Sequence, residues 1–398
     1  MPPKIRLAIS QSHTLPTTAL TLTALEHTTR KAQSQAIDLL LFPEAYLGGY
    51  PRTATFGASI GARTPEGREQ FLSYFKDAVD LGDTPEGAGE RWVRRELEGV
   101  RGDGTREELE RITRETGVFL VVGLVERCAG TLYCGVVYVC PREGCVGKRR
   151  KVMPTGSERL IWGQGQPSSL RAVTTIINGT KITLAAAICW ENYMPLLRQA
   201  LYAQNVNLYL APTADARDAW LALMRTVGAE GRCFVVSANQ CVRESNLPAW
   251  IRDEDAESSN GKANVNGGTV LPTRLRRMSV TEDGHEIALP ETGSRKVRRK
   301  SVVTPEGHEI ALPDTLHEED ESPETSNPNS SDFICRGGSC IISPFGDVLE
   351  GPLWDNDDGL LFTDVDFEDC IRGRLDLDVG GSYSRYAGRF FVDLEPVC

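Results

Sequence analysis

The chain has 398 residues, enough for one large domain or two ordinary ones, and 40% of them are hydrophobic, enough for a substantial core. Lys and Arg number 44 against 55 Asp and Glu, a formal net charge of −11 that argues against a general nucleic-acid binder. No apolar run approaches a transmembrane span, and Met1 to Gln11 carries neither a long apolar block nor a secretory cleavage pattern, so no membrane partner is expected. The cysteines number 11, an odd count scattered without the framework of a small secreted scaffold. They read as reduced thiols in a cytoplasmic protein.

Apolar runs alternate with helical patterns from Met1 to about Arg243. Ile5 to Ile9 predicts a short strand, Leu20 to Ala36 an amphipathic helix, and Asp38 to Phe42 a buried strand that stops at Pro43. Asp83 to Gly104, rich in Gly, Arg and Glu, reads as a polar excursion. Thr105 to Thr116 predicts a charged helix, with strands at Val118 to Val125 and Tyr133 to Cys140. Cys128, Cys134, Cys140 and Cys145 have long spacings and no nearby histidine, so they read as small residues in or beside strands rather than metal ligands. Asn178-Gly179 between Ile176-Ile177 and Lys181-Ile182 is a hairpin signal. Leu184 to Ile188 is a buried strand, Pro195 to Ala203 a helix with proline in its first turn. Val206 to Leu210 and Phe234 to Ala238 are strands, with a helix at Trp220 to Glu230 between them. This alternation predicts an α/β fold.

From Glu244 to Ser331 aromatics vanish after Trp250, and polar and charged residues dominate. Such a segment cannot bury enough apolar surface to offset its ordering entropy, which predicts a mostly disordered insertion. It carries a duplication: Gly284-His285-Glu286-Ile287-Ala288-Leu289-Pro290 recurs at Gly307 to Pro313. Basic-serine clusters ending at Ser279 and Ser301 precede the two copies and resemble basophilic-kinase sites; an inert spacer is the plainer reading. Folded sequence resumes at Phe333. Arg336-Gly337-Gly338-Ser339 reads as a turn into the strand Cys340 to Ser343, and Gly359 to Val365 as a further strand. The expectation is one domain, residues 1–398, interrupted at 244–331.

Chemistry concentrates where strands end. Cys189 stands at an elbow between a buried strand and a helix, where backbone N–H groups and a nearby cation should favour thiolate. A nucleophilic thiol needs a base. Of the five histidines, His285, His308 and His317 lie in the insertion and His27 in an amphipathic helix, which leaves only His13. The base is therefore expected to be a carboxylate. Glu44 follows the strand Leu39 to Phe42, and Lys151 ends the run Arg149-Arg150-Lys151. Open α/β sheets gather functional groups beyond the C-terminal ends of their strands. The plainer readings are a turn acid for Glu44 and a solvated cluster for the basic run.

Three blocks resemble the signatures of the nitrilase superfamily, in the family's order. They are Phe42-Pro43-Glu44-Ala45 with Gly48-Gly49-Tyr50-Pro51-Arg52, Arg150-Lys151-Val152-Met153-Pro154-Thr155 with Glu158-Arg159 and Trp162-Gly163-Gln164-Gly165, and Cys189-Trp190-Glu191-Asn192. The resemblance implies a four-layer α-β-β-α sandwich and a catalytic triad of Glu44, Lys151 and Cys189, supported by Glu158. Trp190 directly after the cysteine is similar to the nitrilase branch. The implied reaction is hydrolysis of an organic nitrile to the carboxylic acid and ammonia through a thioimidate and a thioester. It requires neither metal nor organic cofactor. Tyr50, Trp162, Trp190 and Asn192 are pocket candidates. The resemblance also implies a homodimer or larger homo-oligomer or spiral, although Ser382 and Tyr386-Ala387 depart from the C-terminal pattern of relatives. The competing readings are an amidase of the same fold, a non-catalytic assembly protein, and a cysteine hydrolase using His13.

Overall fold

The computed structural model describes residues 4–82, 92–93, 102–248, 250–251 and 333–381, with four short strands between 278 and 311. Most of the excursion at 83–104, most of the insertion, and the C-terminal departure at Ser382 and Tyr386 lie outside the described residues.

The first sheet is built from β1 (Ile5–Gln11), β2 (Leu39–Leu41), β5 (Phe119–Cys128), β6 (Thr131–Cys140), β7 (Gly144–Arg150) and β19 (Gly359–Val365). Its order is β19-β1-β2-β5-β6-β7, with β1, β2 and β5 parallel. Between β2 and β5 lie the two-residue pair β3 (Ala58–Ser59) and β4 (Ala62–Arg63). The second sheet holds β8 (Val173–Ile177), β9 (Thr180–Ala186), β10 (Leu208–Leu210), β11 (Phe234–Ser237), β12 (Cys241–Arg243), β17 (Phe333–Ile342) and β18 (Val348–Trp354). Here β9, β10 and β11 run parallel.

Side-chain alternation along these strands sets the layers. Leu7, Leu41, Val121 and Val136 from the first sheet meet Leu184, Leu210, Val236 and Ile341 from the second. The opposite face of the first sheet, with Leu40, Leu120 and Val137, packs against Leu25 of α1 (Thr18–Ser34) and Leu109 and Ile112 of the helix Thr105–Thr116. The outer face of the second, with Tyr209, Val235 and Cys340, packs against Leu201 of the helix Pro195–Tyr202 and Met224 of the helix Ala219–Gly231. The result is the α-β-β-α sandwich that the resemblance implied. In chain order the helices are α1, α2 (Pro65–Asp77), α3 (Thr105–Thr116), α4 (Pro195–Tyr202), α5 (Ala219–Gly231) and the short α6 (Asp369–Gly373). Among the described residues, no helix is long and apolar enough to cross a membrane.

Three details differ from the sequence reading. Gly337 and Gly338 form no turn before a strand; they lie inside β17 at φ 90° and 105°, where the register to β18 shifts. The bulge admits Gln11 of β1, whose Oε1 accepts from the N–H of Gly338 and Ser339, both at 3.1 Å. A glycine pair signals a bulge as readily as a turn when its strand is long. The helix Pro65–Asp77 and the strands Cys241–Arg243 and Val348–Trp354 are elements that the reading did not assign. Within the insertion, expected to be mostly disordered, each duplicated motif supplies one strand of a short antiparallel pair: β13 (Met278–Val280) with β14 (Glu286–Ala288), and β15 (Ser301–Val303) with β16 (Glu309–Ala311). Residues 255–329 form a compact unit separate from the rest of the chain.

Candidate active site

Glu44 is placed by the end of β2 and by a close passage over β5. Pro43 and Glu44 run so near Gly123 that a Cβ there would lie 2.0 Å from the Pro43 carbonyl oxygen. Only glycine permits that approach. Gln240 Nε2 donates to the Glu44 carbonyl at 2.8 Å and ties the segment to the second sheet.

Lys151 follows β7. Its N–H donates to Cys134 O at 2.7 Å, and its own carbonyl accepts from Gly165 N at 2.8 Å. The basic run that contains it is not solvated: Arg149, Arg150 and Lys151 are 2%, 7% and 0% exposed. Each cation has an acidic partner. Arg149 pairs with Glu191, Arg150 with Glu126, and Lys151 with Glu44 and Glu158.

Cys189 caps the end of β9 at φ 51°, a left-handed conformation uncommon for a side chain of this kind. Its N–H donates to Pro212 O at 2.9 Å. Such strain persists where the surroundings over-determine it, and here they do. Asn192 Nδ2 donates to Ala187 O and Cys189 O at 2.9 and 2.8 Å. Glu191 Oε2 accepts from Ile188 N at 2.7 Å, while its Oε1 accepts from Val152 N at 2.6 Å and pairs with Arg149 at 2.5 Å. Arg149 also donates to Ala186 O. One buried carboxylate therefore holds the cysteine elbow against the segment that follows Lys151.

The three side chains converge. Lys151 Nζ donates to Glu44 Oε1 and to Glu158 Oε2, each at 2.7 Å. Glu158 Oε1 accepts from Tyr50 Oη at 2.7 Å, and its Oε2 also accepts from Thr155 N at 2.8 Å. Glu158 is thus no surface partner of Arg159, which donates to Pro154 O instead. Glu44 Oε1 takes a further weak bond from the Cys134 thiol at 3.5 Å. Glu44 Oε2 is buried and has no hydrogen-bond partner among the described residues. The Cys189 thiol lies close enough to act on the Glu44 carboxyl.

Burial pushes the Cys189 thiol well above its ordinary pKa, and Glu44 and Glu158 add to the rise against the opposing pull of Lys151. The expected thiolate is therefore corrected. Two carboxylates and desolvation outweigh one cation and favour the protonated thiol. Burial raises Glu44 as well, opposed by Lys151. Burial disfavours the charge on Lys151, but Glu44, Cys189 and Glu158 prevail and raise its pKa well above the usual lysine range.

The pocket candidates separate. Tyr50 and Trp162 stand edge to face, centroids 5.5 Å apart, and Trp162 lies 5.6 Å from Lys151 Nζ. Trp162 Nε1 donates to Tyr74 Oη at 3.0 Å. Trp190 packs against Tyr193 with the rings tilted by 42° and centroids 5.0 Å apart, and the Arg217 guanidinium lies 5.3 Å from the Trp190 ring. Asn192 is committed to the elbow backbone. His13 has Asp357, Asp358 and Arg243 as its charged neighbours, not the cysteine, and His27 is exposed on α1. Cys128, Cys134, Cys140 and Cys145 are buried on β5, β6 and β7. Ser279 lies in β13 and Ser301 opens β15. Sequence reasoning missed Arg149, Glu191, Cys134 and Tyr74. Glu191 alone left a trace, an acid set directly beside the elbow.

A buried cysteine thus lies beside a buried glutamate-lysine pair on a sandwich of two sheets. Residues 6–374 match the carbon-nitrogen hydrolase family, and the chain belongs to that family, in its nitrilase branch. It is 36% identical to an arylacetonitrilase of Trametes versicolor over 92% of this chain and 88% of that one. It is 34% identical to an aliphatic nitrilase of Sinorhizobium fredii over 99% and 97%. The fold is similar to the crystal structure of an amidase from Nesterenkonia sp., with TM-score 0.51 and 16% identity over 94% of this chain and 95% of that one.

Proposed function

We propose that the protein hydrolyses an organic nitrile to the carboxylic acid and ammonia, with Cys189 as nucleophile, Glu44 as general base and Lys151 as the electrostatic partner. The observation that carries the reading is a buried thiol beside a carboxylate whose one oxygen holds Lys151 and whose other has no hydrogen-bond partner among the described residues. The names of the relatives, an arylacetonitrilase and an aliphatic nitrilase, favour nitriles over amides.

Glu44 takes the thiol proton as Sγ attacks the nitrile carbon, and the proton passes to the nitrile nitrogen to give a thioimidate. Lys151 stabilises the charge that develops at the attacked centre. Glu44 then removes a proton from water as it adds to the thioimidate carbon. The C–N bond breaks and ammonia leaves with the protons delivered to it. A second water cleaves the thioester, releasing the acid and restoring the thiol. Glu158 is the second carboxylate on Lys151, and Tyr50 and Thr155 hold Glu158. Tyr50, Trp162 and Trp190 are the proposed pocket walls, with Asn192 supporting the elbow.

Ammonia and acid formation from aromatic, arylacetic and aliphatic nitriles, measured beside the matching primary amides, tests the reading. Nitrile turnover is expected; turnover of amides alone would move the chain to the amidase reading. A homo-oligomer in the cytoplasm accords with the exposed apolar side chains Leu196, Ile371 and Leu375 and with ten buried, unbridged cysteines among the described residues. Ser279 and Ser301 are proposed modification sites; phosphopeptide mapping from the native cell that found both bare would retire them.

A further inference from the structure

We infer that Arg52 is a binding site for a carboxylate at the far end of the substrate, so that the enzyme favours nitriles carrying a remote anion. The inference rests on the nitrile reading above. Arg52 stands two residues beyond Tyr50, whose hydroxyl reaches Glu158 beside Lys151. Its guanidinium lies 5.2 Å from the centroid of the Tyr50 ring. On its other side, Nη2 donates at 2.7 Å to the carbonyl of Ala214. Ala214 is two residues from Pro212, whose carbonyl accepts the N–H of Cys189. The guanidinium therefore joins the two stretches of chain that flank the nucleophile.

Its charge is unspent. Among the described residues Arg52 makes no ion pair, and its Nε is buried without a hydrogen-bond partner. The side chain as a whole is only half-buried, so its remaining N–H groups are the ones a ligand oxygen would meet. The acid that follows Ala214, Asp215, is already engaged. Its Oδ1 and Oδ2 accept from Arg217 at 2.8 and 2.5 Å, and Oδ2 also from Tyr193. Arg217 therefore satisfies Asp215, and among the described residues Arg52 is left without a carboxylate of its own. A planar guanidinium with free N–H groups is suited to a carboxylate, which it binds with direction as well as charge.

The test compares kcat/KM for ω-cyanocarboxylates of increasing length with the methyl-terminated nitriles of equal length. The wild type is expected to favour an acid over its neutral counterpart, and added salt to narrow the preference. Arg52→Gln is expected to lower kcat/KM for that acid by about tenfold to a hundredfold more than for the neutral nitrile. Arg52→Lys keeps the charge without the planar fork and is expected to retain part of the preference. An equal loss on acid and neutral substrates in both variants would reduce Arg52 to a structural bridge. Lack of any preference in the wild type would overturn the inference outright. If nitriles were inert and amides were hydrolysed, the nitrile reading would fail, and the same comparison on ω-carboxy amides and alkyl amides would decide the role of Arg52.

Discussion

At Cys189 the decisive quantity is the proton rather than the sulfur. Burial and two neighbouring carboxylates hold the thiol protonated, so attack depends on an ionised Glu44. Burial also raises the pKa of Glu44, so its carboxylate takes up a proton at a higher pH than an ordinary glutamate, whose value is about 4.3. Activity should therefore fall as pH drops, with the acid limb of kcat/KM above the usual glutamate range. A pH profile with no acid limb above that range would contradict the role given to Glu44. Glu44 and Cys189 could be found in the sequence because each follows an apolar strand that announces its end, whereas Lys151 closes a basic run and was legible only through the signature block around it. Cys134 and Glu191 could not, because their meaning lies in contacts that sequence distance hides. Glu191 meets Arg149 across 42 positions, and Cys134 meets Glu44 across 90.

At the scale of elements, the site is a junction of strand ends clamped by one buried ion pair. Glu191 and Arg149 are 0% and 2% exposed, and between them they bind backbone on both sides of the junction. Removing one member of a buried pair strands the other, at a cost of about 3–5 kcal/mol. Glu191→Ala is accordingly expected to lower stability by about that amount in urea unfolding, and to lower kcat through misplacement of the elbow. A variant with wild-type stability and rate would show that the clamp is dispensable. Most elements could be read from pattern, since Thr105–Thr116 and Gly359–Val365 have the predicted bounds. The Gly337-Gly338 bulge was hidden because the residue that fills it, Gln11, comes from the far end of the chain. The burial of Arg149 and Arg150 was hidden for a related reason: a basic run looks solvated until its partners, Glu191 and Glu126, are brought to it.

Over the whole molecule, the hydrolase fold closes without the inserted segment. β12 and β17 flank the insertion in sequence and pair with each other, Cys241 opposite Arg336 and Val242 opposite Cys335. Residues 255–329 form their own compact unit. Replacing them with a short Gly-Ser linker is therefore expected to leave ammonia release intact and, by light scattering, the proposed oligomer unchanged. Loss of activity with retained fold would give the insertion a direct part in catalysis.

The central claim is that Cys189 is the nucleophile of a nitrile hydrolase. Ammonia release from the best nitrile, compared between the wild type and Cys189→Ala with folding checked by circular dichroism, tests it most directly. The account predicts turnover in the wild type and none in the variant. Ammonia release by a folded Cys189→Ala protein at the wild-type rate would contradict it.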